Sequence, residues 1–290
     1  MMLNDLLLKY NLDPQQVLAL RHRPFEPELR KVLPWLAAEK PDVFNAYQQT
    51  QDEKLEKVMT QGGYVASFIG HKPGEALFIG LYSIGPFRPL TVEEYWAIPA
   101  YGVLKAYGMV GFTGATRQQV LWFDLTLTDF YSSWKGKLVV GWPPPERSWW
   151  RRAHRNDMPV LAIFEESALE AAMPTWQNLV LHWDELQLLP TRWRTAISQW
   201  RAIYYIFDQS DGKGYIGSAY GETNLLGRWL NYAARGHGDN KLLRSRNSRD
   251  FQFSILELVS PAMQPDDVIR LESTWKERLH TRAPHGLNEN

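Results

Sequence analysis

Apolar side chains recur at helical spacing through residues 1–63. Asp13-Pro14 offers a cap and a proline at the first helical position, and Val17, Leu18 and Leu20 supply a short apolar face behind it. Leu29, Val32, Leu33 and Leu36 predict a second helix over 27–38, which Pro34 should bend or split. A third is expected over 42–59 on Val43, Phe44, Tyr47, Leu55 and Val58, closed by Gly62-Gly63. From Tyr64 the pattern changes to short β-like runs at 64–69, 76–84, 120–127, 137–142 and 160–164, divided by turns rich in Gly and Pro. Their rhythm predicts a small β-barrel-like or strongly bent module over 64–182, with a short helix at 165–173. The stretch 183–200 is amphipathic and predicts a connector helix. In 201–290, runs at 203–208 and 215–219 face each other across Gln209-Ser210-Asp211-Gly212-Lys213-Gly214, a hairpin by turn chemistry. A helix over 224–235, a strand over 251–258 with alternating Phe251, Phe253 and Ile255, and a helix opening at Pro265-Asp266-Asp267 complete the pattern. The chain as a whole reads as α+β.

Composition removes several classes of function. The 290 residues carry 32 Lys and Arg against 32 Asp and Glu, so any nucleic-acid surface must be local rather than global. With no cysteine, a disulfide scaffold, a thiolate nucleophile and a zinc-thiolate site are excluded. The start has an acid before its short apolar run, no leader pattern follows, and no stretch of about 18 apolar residues occurs; a soluble, cytoplasmic protein without a membrane partner is expected. Aromatics make up 13%, including 13 Trp, which suits either stacking surfaces or an aromatic-filled core.

The candidate chemistry lies in the last third. Ala202-Ile203-Tyr204 and Tyr215-Ile216-Gly217 form two half-motifs on the hairpin, Arg228 follows on a helix, Glu272 on a later helix, and Asn288 near the end. Two phenols on adjacent strands can share one face, Arg228 offers a planar fork for a phosphate, and Glu272 offers hard oxygens for Mg²⁺. In order and spacing these five positions resemble the GIY-YIG nuclease family over about residues 200–290, with Ala202 where the family opens on Gly. The resemblance implies a C-terminal domain with a three-stranded antiparallel sheet flanked by helices, and a metal-dependent endonuclease acting on double-stranded DNA. It also implies roles: Tyr204 positions or activates the water, Tyr215 and Arg228 hold the scissile phosphate, Glu272 binds one Mg²⁺ or Mn²⁺, and Asn288 orients the final loop or the phosphate. Asn290 also lies at the terminus. A tyrosine with a pKa near about 10 is a poor base at neutral pH. Lys213, two residues before Tyr215, could lower a phenol's pKa as restriction-type relatives suggest, or be a solvated turn lysine. Tyr232, one turn after Arg228, occupies a position where relatives carry His or Tyr.

Two local basic stretches complete the reading. Between Arg228 and Arg249, Arg228, Arg235, Lys241, Arg244, Arg246 and Arg249 stand against Asp239 alone, with His237 in the Gly-rich loop, a strip suited to phosphates. Between Lys135 and Arg155, six cations that include Arg147, Arg151 and Arg152 interleave with Trp134, Trp142, Trp149 and Trp150, fitting either base stacking or barrel packing. The front part is therefore expected to supply target recognition, in a restriction or phage-defence setting; the Arg21-His22-Arg23 cluster is uninformative. The alternatives are a structure-selective repair or recombination nuclease, and a non-catalytic nucleic-acid-binding protein on a nuclease scaffold. Cutting both strands would take a homodimer or two successive nicks.

Overall fold

Six consecutive buried residues, Val17–His22, form strand β1 where the sequence predicts a helix. Asp13 does cap a helical turn, accepting from the Gln15 amide at 2.9 Å, but that turn covers only Pro14–Gln16. The run Val-Leu-Ala-Leu then has apolar neighbours on both faces, as befits an inner strand with a parallel partner. Describing residues 1–169, 172–221, 224–235 and 240–289, this computed structural model divides into two units, Met1–Ala171 and Ala172–Asn290.

In the first unit β1 pairs in parallel with β2 (Tyr64–Gly70), which leads to the 16-residue β3 (Glu75–Leu90). The far half of β3 pairs with β4 (Val120–Leu127), and its near half with β5 (Leu138–Gly141). The edges are β6 (Trp150–Arg152), on β1, and β7 (Val160–Ile163), on β5. The result is an open seven-stranded mixed sheet in place of the expected barrel, because β6 and β7 do not meet. Its helices are α1 (Leu3–Lys9), α2 (Pro27–Glu39), α3 (Pro41–Gln48), α4 (Glu53–Met59), α5 (Val92–Trp96) and α6 (Pro99–Ala106). Pro34 is carried inside a continuous α2. The expected helix over 42–59 is two, divided where Asp52 caps α4 through the Leu55 amide at 2.8 Å. A Thr91/Glu94 capping box starts α5. No helix forms among the described residues of 165–173.

The second unit is built on a four-stranded antiparallel sheet rather than three, in the order β10, β9, β11, β8. These are β8 (Val180–His182), β9 (Ala202–Asp208), β10 (Lys213–Ala219) and β11 (Phe251–Leu258). The additional strand, β8, falls within the stretch assigned by sequence to the front module. Pro190 interrupts the expected connector over 183–200, leaving a short turn at Glu185–Gln187 and helix α7 (Thr191–Gln199). One sheet face carries α8 (Asn224–Arg235), whose Leu225, Trp229 and Tyr232 pack with Tyr204, Phe251 and Phe253. The other carries α9 (Pro265–Arg278), whose Val268, Leu271 and Trp275 pack with Ile203 and Ile216.

Candidate active site at the edge of the C-terminal sheet

Alternation along the hairpin places Tyr204 opposite Gly217, with Tyr215 two residues away on the same face. The glycine is required by that pairing: a Cβ on Gly217 would lie 2.6 Å from Tyr204 Cζ. Tyr204 therefore lies flat across β10, with its ring centre 6.5 Å from that of Tyr215. On α8, one turn separates Arg228 from Tyr232, so both reach the same pair of phenols. Tyr232 stands 6.1 Å from Tyr204 and 5.9 Å from Tyr215, ring centre to ring centre. The Tyr204 hydroxyl donates to Tyr232 Oη at 3.2 Å, while Arg228 is half-buried beside all three rings.

Burial sets the electrostatics of this cluster. It pushes the hydroxyls of Tyr204, Tyr215 and Tyr232 above their ordinary value of 10, and the neighbouring phenols add to the rise. The Arg228 guanidinium opposes that rise, and its own proton is held more tightly, chiefly through Tyr204. At neutral pH the site thus presents three neutral phenols and one fixed cation.

Glu272 approaches from the other face. The Ser218 hydroxyl, adjacent to Gly217 but on the opposite side of β10, donates to Glu272 Oε2, and Lys276 Nζ lies 2.7 Å from Oε1. Because β10 is the sheet edge, this carboxylate still acts electrostatically on Tyr204 and Tyr215. Among the described residues no group of three or more His, Cys, Asp or Glu side chains is gathered to hold a metal. One mostly buried carboxylate fits a Mg²⁺ whose remaining ligands are water and substrate phosphate, a common arrangement for that ion, and does not fit a closed protein cage. Lys276 pairs with that carboxylate one helical turn along α9.

Asn288 ties the C-terminal segment to the hairpin. Its side-chain amide pairs with the free edge of β10 at Ile216, accepting from the amide at 2.9 Å and donating to the carbonyl at 2.7 Å. The Leu287 amide adds a bond to the Gly214 carbonyl at 2.9 Å, so the C-terminal segment covers the edge strand. Lys213 shares the Tyr215 face by alternation, yet its ammonium donates to the Pro284 carbonyl at 3.1 Å and is no cause of the phenol's shift. The lysine that could have lowered a phenol's pKa thus bonds elsewhere.

The basic strip divides in two. Arg235, Lys241, Arg244 and Arg249 are exposed, with Arg249 lying over the Trp183 ring at 5.7 Å. Arg246 is withdrawn from the surface, bound to Asp208 Oδ2 at 2.5 Å and to both Asp211 oxygens at 2.8 Å, which holds the hairpin turn. His237 lies outside the described residues. In the first unit, Arg147 is exposed. Trp149 and Trp150 pack half-buried against Leu18, Leu20 and Leu55. Arg151 donates to the carbonyls of Pro143 and Pro145 at 3.1 and 3.0 Å and so braces the proline loop, while Arg152 sits on edge strand β6. Trp142 is in the core, so most of these aromatics pack the unit instead of lining an open stacking face. Ser218 was missed by sequence reasoning; the signal available was a small hydroxyl directly after the second half-motif.

No helix of the described residues is long and apolar enough to cross a membrane. No protein-family model matches the chain, and neither does any curated protein sequence. Among solved structures, part of the chain matches the catalytic domain of the homing endonuclease I-TevI, at 29% sequence identity over 31% of this chain and 98% of that one, with a TM-score of 0.26.

Proposed function

We propose that the C-terminal unit hydrolyses phosphodiester bonds in DNA at the site formed by Tyr204, Tyr215, Arg228 and Glu272. The observation that carries this reading is the convergence of a half-buried guanidinium, three neutral phenols and a carboxylate on one sheet edge, from four separate stretches of chain. Hydrolysis adds water to phosphorus and breaks the bond to the 3′ oxygen, leaving a 5′-phosphate and a 3′-hydroxyl. Arg228 offsets charge developing on the non-bridging oxygens. Tyr204 and Tyr215, whose pKa values burial raises, act as hydrogen-bond donors that orient the phosphate and the attacking water. Glu272 would hold the Mg²⁺ or Mn²⁺, whose chemistry when bound is Lewis-acid stabilisation of the phosphate and leaving oxygen. Ser218 fixes that carboxylate against the edge strand. The exposed Arg235, Lys241, Arg244 and Arg249 supply backbone contacts to the strand.

The test is cleavage of plasmid DNA with Mg²⁺, Mn²⁺ or EDTA. Cleavage in either metal, abolished by EDTA and lowered at least about 100-fold by Glu272→Ala, is expected. Equal cleavage by wild type and Glu272→Ala eliminates the site, and binding without cleavage under every condition identifies a non-catalytic DNA-binding protein.

A further inference from the structure

A cavity of about 200 Å³ in the first unit is bordered by Arg21, Arg23, Arg30 and Lys72, and no Asp or Glu is among its lining residues. Arg21 is the unusual member: it is 3% exposed, its Nη2 donates to the Glu146 carbonyl, and its Nε has no partner. A desolvated guanidinium without a bonded carboxylate is costly unless an anion completes it. The Glu146 carboxylate forms its ion pair with Arg23, at 3.9 Å with both side chains solvated, and acts on Arg21 only through its field. Arg21, Arg23 and Arg30 also border a second, larger cleft of about 900 Å³. Tyr47, Phe112 and Trp149 line that cleft, and Phe25, 94% exposed, stands among its lining residues. Its volume lies in the range of small-molecule sites, and its walls combine flat rings with many polar groups, the carboxylates of Glu26, Asp52 and Glu146 among them.

We propose that this pair of cavities binds one nucleotide unit, with the phosphate among Arg21, Arg23, Arg30 and Lys72 and the base against Trp149, Phe112 and Tyr47. Base stacking on aromatic faces and charge-assisted bonds from guanidinium forks to phosphate are the two contacts this geometry supplies side by side. The unit is either a free mononucleotide or a nucleotide drawn out of a DNA strand; the chemistry of recognition is shared. The inference does not depend on the nuclease reading of the C-terminal unit.

The experiment is calorimetric titration of the full chain, in EDTA so that nothing is cleaved, with dAMP, deoxyadenosine and inorganic phosphate separately. A parallel arm follows 2-aminopurine fluorescence in duplex DNA, which rises when the base is unstacked. Because Arg21 is buried and its replacement could prevent folding, the variants are the exposed Arg23→Glu combined with Lys72→Glu, and Phe112→Ala. Expected are binding of dAMP at least 10-fold tighter than of either deoxyadenosine or phosphate, and a loss of at least 10-fold in both variants. A fluorescence rise in the duplex arm that the double variant lacks assigns the site to DNA; dAMP binding without that rise assigns it to free nucleotides. No dAMP binding and no fluorescence rise, binding unaffected by the variants, or phosphate bound as tightly as dAMP would overturn the proposal.

Discussion

Tyr204 is completely buried and hydrogen-bonded to Tyr232, so its own pocket works against the charged form that a base would need. The sign of the consequence for stability follows directly. Each of Tyr204, Tyr215 and Tyr232 has a folded pKa above its ordinary 10, so their contribution to stability is complete below pH 10 and is lost as pH rises beyond it. Absorbance of tyrosinate near 295 nm, followed together with circular dichroism, is expected to show these phenols ionising only as the fold is lost. Three extra phenols titrating near pH 10 in a still-folded chain would contradict this. On the same scale, two cations placed beside the chemistry by sequence have structural partners instead: Lys213 at Pro284 and Arg246 at Asp208 and Asp211. Those partners lie 35 to 71 positions away, beyond what local pattern can reveal.

At the scale of elements, the β9–β10 hairpin depends on that Arg246 clamp. Asp208 is 1% exposed, and among the described residues its carboxylate is otherwise met only by the Ser210 amide and hydroxyl, at 2.9 and 2.6 Å. Asp211, held down to about 2 by Arg246, contributes stability above its ordinary 3.8 that falls away in more acid solution. Arg246→Ala is expected to cost about 3 kcal/mol by leaving a buried carboxylate unpaired, read as a lowered midpoint in urea. A change within about 0.5 kcal/mol would show the clamp to be solvent-screened. The hairpin, α8, β11 and α9 were legible in the sequence because each carries a complete local signature: turn chemistry, an apolar face at helical spacing, or strict alternation. β1 was not, since an inner strand with apolar neighbours on both faces has the continuous texture of a short helix, and Asp13-Pro14 invites that reading. β8 escaped because its three residues are defined only by pairing with β11, some seventy residues later. The site was legible in its residues and illegible in its depth: nothing in the spacing of Tyr204, Tyr215 and Arg228 announces that Tyr204 is buried and Tyr215 partly so.

For the whole molecule, mild acid acts first on the unit that holds His22, whereas alkali acts on both, because burial also raises the phenols of Tyr47, Tyr82, Tyr95 and Tyr101 in the first unit. His22, fully enclosed in the first unit and bonded to Gln48 and Ser67 at 3.2 and 3.1 Å, is held neutral, its pKa pushed down by burial to about 4. Its contribution is present above pH 6.5 and is lost as pH falls toward 4, roughly 3 kcal/mol over that window. Mild acid is therefore expected to loosen Met1–Ala171 first, read by hydrogen exchange resolved along the chain. Uniform protection at pH 5 relative to pH 7, or His22→Gln losing stability equally at both, would contradict the assignment. Composition gave little warning of this asymmetry, because the balanced total of 32 and 32 conceals where individual groups are desolvated. The C-terminal site is tested by single-turnover DNA cleavage with wild type and Arg228→Ala at matched protein concentration, with melting curves of both. Expected is a rate at least about 100-fold lower in the variant, with a melting temperature within a few degrees of wild type. Undiminished cleavage, or a loss of rate explained by a collapse in melting temperature, would contradict it.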